Sequence, residues 1–323
     1  MRDLIEPTDD GAVLLSTTDA EGIGRLFPGW RVELLHLGRG PLRWSGAFVP
    51  LGPLHMITVA IDSGGILRGL SPRARANLIW TRPGSASIRV AARLVGGDAC
   101  YLLGSRAPFD WFAPAGCSML ILALAAAAAR GERIPGQLPR RGGVHVHALS
   151  NDHIEVLSRC MDLLEELQRS PTTSIFLRSL ARIKRRAQDR LLPAVASVFT
   201  DSAALPADCS ERAPRSEAVA RARAYVETHL HEPLTLEDLC RASGVRARTL
   251  EYGFAEAYDI GPMQYLKAVR LDRVRRDLLK ARKATAVVSQ TARRWSFSHM
   301  GQFSRDYRLA YGESPSQTIA RTR

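Results

Sequence analysis

With 323 residues, 46% hydrophobic and 24% charged, the chain has the composition of globular protein and the length for about two domains. Five scattered cysteines without a Cys-x-x-Cys pair exclude a disulfide framework and a zinc ribbon. The formal net charge of +13 is uneven: residues 212–323 hold 21 Lys+Arg against 12 Asp+Glu, residues 1–211 hold 24 against 20. A small basic segment suits a polyanion, because each phosphate contact releases a condensed counterion.

The N-terminal stretch MRDLIEPTDD is acidic and lacks an apolar core, so no signal peptide is expected. The longest apolar stretch, residues 117–129, has 13 residues, whereas about 20 span a bilayer. A cytoplasmic protein without membrane contact is expected. From Ala12 to about Ala128, short apolar runs such as RVELLHLG, HMITVAI and ACYLLG alternate with Gly and Pro punctuation. That spacing predicts a β-barrel or sandwich. SMLILALAAAAARGE predicts a buried strand running into a helix.

From Asp152, taken as an N-cap, Ile154, Leu157, Met161, Leu164 and Leu167 fall at helical spacing. Pro171 interrupts, and Ile175, Leu180 and Ile183 repeat the pattern, with RIKRRAQDR as a solvated face. Val195 to Arg215 is small, polar and Pro-containing, the texture of an interdomain linker. The chain therefore divides into residues 1–200, a linker at 201–215, and residues 216–323. The fold class expected is α+β: a barrel-like β domain with following helices, then an all-α domain.

In the last third, Ser216 is placed to cap a helix carrying Val219, Ala222, Val226 and Leu230, ended by Pro233. Thr235-x-x-Asp238 forms a capping-box start, and Gly244 sits where two helices meet at a sharp angle. The next helix buries Leu250 and Phe254 and exposes Arg248, Thr249, Glu251 and Tyr252. Pro262 then opens a long helix to about residue 283, with Leu271, Val274 and Leu278 on one face and Arg270, Arg273, Arg275 and Arg276 on the rest.

The pattern then returns. Cys240-x4-Val245-x4-Leu250-x3-Phe254-x7-Pro262 is matched by Ala292-x4-Phe297-x5-Phe303-x3-Tyr307-x7-Pro315. A fortuitous helical period would not reproduce the turn, the aromatic anchor and the distal proline in register, so the reading is two helix-turn-helix motifs joined by a long helix. The second helix of the second motif is expected at about His299 to Ala310.

The residues LTLEDLCRASGV, RTLEYGF, GPMQYLKAVRL and FSHMGQFSRDYRLAYGESPSQ make residues 216 to about 321 resemble the DNA-binding domain of the AraC/XylS family of bacterial transcription regulators. The resemblance covers about a third of the chain. It implies a sequence-specific transcription factor, activator type included, whose second helices enter successive major grooves of double-stranded DNA. It further implies a small-molecule effector at the N-terminal domain, RNA polymerase as a partner and a homodimer. Neither a cofactor nor an enzymatic activity is expected.

On that resemblance the first motif reads bases through Arg248, Glu251 and Tyr252, beside Thr249, with Arg246 on a phosphate. Arginine forks onto guanine O6 and N7, and glutamate accepts from cytosine N4. The second motif reads through Ser298, His299, Met300, Gln302 and Arg305, while Arg293, Arg294 and Arg308 position the module on phosphates. The second copy departs from the family pattern. Val287 stands at the usual cap, shifting capping to Thr285; Thr291 replaces an aliphatic; and Ser296 replaces the turn glycine, at a strain of about 1–2 kcal/mol if that residue takes positive φ. Asp259 stands for a glycine in the first copy's tail. Both motifs are expected to fold, the second with less stability.

Two enzyme readings compete. Gly143-Val-His145-Val-His147 resembles the His-x-His of metal-binding cupins, which is why the β domain is also read as cupin-like, but the expected glutamate is missing and Glu155 lies eight residues on. His36 and His55 have no assigned place. A methyl-accepting DNA-repair domain fused to the same helix-turn-helix pair needs a four-cysteine cluster, which the spacing lacks. PFDWFAP and TRPGSASIRV could line a pocket, but aromatic clusters of this kind belong more often to a core.

Overall fold

Period-two alternation in the apolar runs decides how the first half of the chain folds, because successive strand side chains point to opposite faces. The computed structural model describes residues 11–17, 20–38, 40–90, 93–125, 144–169, 180–181, 192–201, 203–204, 214–280 and 286–320. Its strands are β1 (Val13–Thr17), β2 (Arg31–His36), β3 (Trp44–Leu51), β4 (Leu54–Ile61), β5 (Gly65–Leu70), β6 (Arg75–Thr81) and β7 (Ile88–Val90). They continue with β8 (Arg93–Val95), β9 (Ala99–Leu103), β10 (Pro108–Ala113), β11 (Cys117–Ala125), β12 (Val144–Ala148) and β13 (Ala203–Ala204). The larger sheet runs β1-β3-β4-β11-β6-β9-β12-β13 and the smaller β2-β5-β10-β7-β8; their described pairings are antiparallel.

In β4, Leu54 and Met56 face one way and Ile57, Val59 and Ile61 the other. In β11, Leu120, Leu122 and Leu124 alternate with Met119 and Ile121. The inner set meets Leu34, Leu67, Phe109 and Trp111 of the smaller sheet in the barrel core. The outer set packs against helices α1 (Asn151–Gln168) and α2 (Leu192–Asp201) through Leu157, Met161, Leu164, Val195, Val198 and Phe199. Gly69 sits at φ 155° with the Arg31 carbonyl 1.7 Å from where a Cβ would stand, so only glycine lets β5 approach β2 here.

Two expectations change, and a third is met as far as the described residues reach. Ser150, in extended conformation, caps α1 by accepting from the His153 N–H; Asp152 lies in the first turn, where its charge favours the helix dipole. Val195, Val198 and Phe199 fall at i, i+3 and i+4 and bury on the sheet, so residues taken for the start of a linker form α2. Residues 117–125 form strand β11; the helix expected beyond it, like Pro171, Ile175, Ile183 and RIKRRAQDR, falls outside the described residues.

The aromatic stretch of β10 is core rather than pocket: Phe109 and Trp111 stack at 4.3 Å inside the barrel, and Phe112 faces the C-terminal helices. His145 is exposed and His147 buried, their rings 6.2 Å apart. Among the described residues no three His, Cys, Asp or Glu side chains gather for a metal, and no helix is long and apolar enough to cross a membrane. Burial pushes the thiols of Cys100, Cys117 and Cys160 up to about 12, so they stand as protonated core side chains.

His55, half-buried, accepts a hydrogen bond at Nε2 from Arg75 (2.9 Å). Burial first, and the Arg75 charge second, bring its pKa down from 6.5 to about 4. The unfolded chain therefore takes up this proton first, and stability falls as pH drops from 6.5 towards 4. Urea unfolding of His55→Gln at pH 7 and pH 4.5 is expected to show a smaller acid loss than the parent; an equal loss would remove His55 from the acid response.

Candidate nucleic-acid interface

Capping chemistry and apolar spacing build the C-terminal helices. Helix α3 (Pro214–Thr228) starts two residues before Ser216 and ends five before Pro233, so neither residue bounds it as expected. Helix α4 (Leu236–Ser243) opens on the capping box: the Thr235 hydroxyl accepts from the Asp238 N–H, and the Asp238 carboxylate accepts from the Thr235 N–H at 2.9 Å. Gly244, at φ 72°, closes it and sets the turn into α5 (Ala247–Tyr258). Asp259 caps α5 at φ 58°, a conformation aspartate tolerates better than most residues. Leu250 and Phe254 bury against Val219, Ala222 and Val226.

Helix α6 (Pro262–Lys280) is the connector, with Tyr265, Leu266, Val269, Val274 and Leu278 in the core. Its arginines do not simply coat a free surface. Arg270 is buried and donates to the carbonyls of Leu230 (3.1 Å) and Glu232. Arg275 pairs with Glu313 at 2.7 Å, and Arg276 with Asp272 at 2.9 Å. Part of the basic surplus in this segment thus serves the fold.

The second motif repeats the first in α7 (Ala286–Arg294), α8 (Met300–Tyr311) and the closing α9 (Pro315–Ala320). Phe303 and Tyr307 take the places of Leu250 and Phe254 in the buried core. Ser296 does adopt positive φ, at 61°. Its hydroxyl donates to the His231 carbonyl (2.5 Å), a bond a turn glycine lacks and which offsets part of the strain. The neighbouring Trp295 stacks on His231 at 4.2 Å and donates to Asp277 at 2.8 Å. Thr285 lies outside the described residues; Thr291 is buried.

Arg246 is the N-cap of α5 and makes no side-chain cap bond. Arg248, Glu251 and Tyr252 are exposed, and Thr249 is half-buried. The Arg248 guanidinium donates to the Tyr252 hydroxyl at 3.2 Å and lies 5.5 Å from its ring centroid. The two side chains thus form a pre-ordered pair. In the second motif Ser298 and His299 precede α8, and His299 is its N-cap without a side-chain bond. Met300 is half-buried against the helical core. Gln302 donates to Asp306 at 3.1 Å. Arg305 and Arg308 are exposed, as are Arg293 and Arg294 at the end of α7. The first turns of both second helices, whose N–H groups lack intrahelical partners and carry the positive dipole end, begin beside Arg246 and Arg248 for α5 and beside Ser298 and His299 for α8.

Between the two lies the start of α6, which the sequence reading left out. Exposed Met263 lines both a groove beside Arg248, Glu251 and Tyr252 and a second groove beside Ser298, His299 and Gln302. Lys267, one turn on, pairs with Asp306 of α8 at 3.2 Å. The i, i+4 spacing of Met263 and Lys267, just after Pro262, was the available signal.

Two helix-turn-helix units around one connector, with exposed Arg248 and Tyr252 on one second helix and exposed Gln302 and Arg305 on the other, define a paired helix-turn-helix protein of the DNA-binding class. Residues 239–321 match the family model described as "Helix-turn-helix domain". Over 95 residues the chain is 39% identical to the "Probable thc operon regulatory protein" of Rhodococcus erythropolis, covering 29% of each chain. It is 29% identical over 112 residues to the "XylDLEGF operon transcriptional activator 3" of Pseudomonas putida, covering 35% of this chain and 33% of that one. A solved structure, "a probable AraC family transcriptional regulator" from Rhodopseudomonas palustris, is 34% identical, with a TM-score of 0.31, covering 33% of this chain and 97% of that one. Over this C-terminal region the chain carries the helix-turn-helix domain of AraC/XylS-type transcription regulators. The matched region spans about a third or less of the length of the two curated relatives.

Proposed function

We propose that the protein is a sequence-specific transcription factor that binds double-stranded promoter DNA with residues 216–323 and takes its signal through residues 1–200, with 201–215 as the linker. What carries this reading is the arrangement of Arg248 and Tyr252 on α5 and His299 and Gln302 at the start of α8, either side of Met263, with Arg305 exposed one turn further along α8. Arg248 and Arg305 fork onto guanine, Gln302 bonds adenine, and Glu251 accepts from cytosine N4. Thr249, Tyr252, Ser298, His299 and Met300 border the base edges; Arg246 and Arg308 sit on phosphates.

Names of relatives, an operon regulatory protein and an operon transcriptional activator, favour control of a neighbouring operon by activation through RNA polymerase. A small-molecule effector and a homodimer complete the proposal, in a cytoplasmic setting. Footprinting of the full chain on DNA upstream of its own and neighbouring genes tests it. Protection of two adjacent segments about one helical turn apart is expected. Uniform binding to every sequence, abolished by moderate salt, would sink the sequence-specific reading.

A further inference from the structure

The outer face of the smaller sheet is not free. Leu35 of β2, Ile66 of β5 and Phe112 of β10 belong to the same buried cluster as the core of the helical domain. Charged pairs rim this contact. Arg223 of α3 pairs with Asp110 of β10, Arg68 of β5 pairs with Glu227 of α3, and Glu33 of β2 lies 3.6 Å from Arg276 of α6.

Both reading helices end on this sheet. At the end of α5, Tyr258 packs edge-on against Phe112, and its C-cap Asp259 pairs with Arg89 of β7 at 2.6 Å. The Arg89 guanidinium lies 5.4 Å from the Phe112 ring centroid. At the end of α8, the Gly40 N–H donates to the Leu309 carbonyl at 2.6 Å. Pro41 lies against the C-cap Gly312, so close that a Cβ there would stand 3.1 Å from Pro41 Cδ. His36 holds this loop: its Nε2 donates to the Gly40 carbonyl at 3.1 Å, and its ring lies 6.1 Å from that of Tyr311.

We infer that this sheet positions the two reading helices for DNA, with Arg89 and His36 as the positioning residues at the two grips; the inference rests on the DNA-binding function proposed above. The grips fall on opposite sides of the sheet, three strand steps from β2 to β7, or about 14 Å. They take the C-terminal ends of α5 and α8 and leave the N-terminal, reading ends outward. Successive major-groove segments tolerate only one separation and one relative angle of the two helices. The connector α6 joins the two motifs, and the sheet and its β2–β3 loop add a second hold on the C-terminal ends of both reading helices. A protein already set to the right spacing binds without a further ordering cost. Any change that moves β2 relative to β7 then alters the fit of both readers together.

The test compares the full chain with Arg89→Ala, Arg89→Lys and His36→Ala on three DNAs: the protected site, the same site with one base pair inserted between its halves, and the same with one removed. Wild-type protein is expected to prefer the native spacing by roughly tenfold or more, as a pre-set pair of readers requires. Arg89→Ala and His36→Ala are expected to cut that preference to about threefold or less while keeping affinity for a single half-site, and Arg89→Lys to restore it by re-forming the pair with Asp259. Variants that melt at lower temperature yet keep the wild-type spacing preference assign these residues to stability alone and overturn the inference. Wild-type protein with no preference for any site overturns the DNA-binding reading, and the inference with it.

Discussion

Arg305→Ala is expected to weaken binding to the native site by about 1–3 kcal/mol, roughly 5- to 150-fold, while leaving the fold and non-specific binding nearly intact. Arg305 stands on the exposed side of α8, two residues past the buried anchor Phe303, so its truncation removes no core contact. A guanidinium can present two parallel donors to guanine O6 and N7, and a lysine cannot copy that fork. Arg305→Lys should therefore recover little specificity even though it keeps the charge. Arg308→Ala should behave differently: if Arg308 sits on a phosphate, affinity falls on all sequences alike and the salt slope drops by about one. Competition binding with matched and mismatched sites at several salt concentrations separates the two. An Arg305→Ala protein that keeps the parent's ratio of specific to non-specific affinity would remove Arg305 from base reading.

Much of the helical domain was legible because its signals are local. The capping box at Thr235 and Asp238, the turn at Gly244 and the apolar register repeated from Leu250 and Phe254 to Phe303 and Tyr307 each depend on residues within a turn or two. The strands of the β domain were legible as short apolar runs between turns, but their order was not. Nothing in HMITVAI says that it lies between β3 and β11, since pairing depends on distant partners. The candidate interface divides the same way. The exposure of Arg248 and Arg305 follows from helix phase, whereas Met263 comes beside Arg248 and Gln302, and Lys267 beside Gln302, only once α5, α6 and α8 are packed.

Least legible was the contact between the domains. A linker at 201–215 suggests two bodies on a tether, and the sequence shows Asp110 in an aromatic run and Arg223 among the polar positions of a helix. Their pairing spans 113 residues and has no periodic signature. The charge count is coarse in the same place. It suits a polyanion as a sum but does not say which arginines are free for one, and Arg223, Arg270, Arg275 and Arg276 hold internal partners.

Arg223→Met is therefore expected to destabilise the whole chain by about 3 kcal/mol, the low end for removing one partner of a buried ion pair, since Asp110 retains partial access to water. Arg223 donates to three groups at once: the Asp110 carboxylate, the Tyr258 hydroxyl at 2.6 Å and the Tyr265 hydroxyl at 3.1 Å. Burial opposes its charge, but the acceptors outweigh burial and hold the guanidinium firmly ionised. Methionine fills much of the same volume, so the loss reports unpaired polar groups rather than a cavity. Truncating Asp110 as well, in Arg223→Met/Asp110→Asn, removes the stranded charge and should recover about 1–2 kcal/mol of that loss. Urea unfolding of the parent, the two single variants and the double closes the cycle. Additive effects would mean that Arg223 and Asp110 do not act as a pair, and that the apolar contact of Leu35, Ile66 and Phe112 holds the sheet on the helices without them.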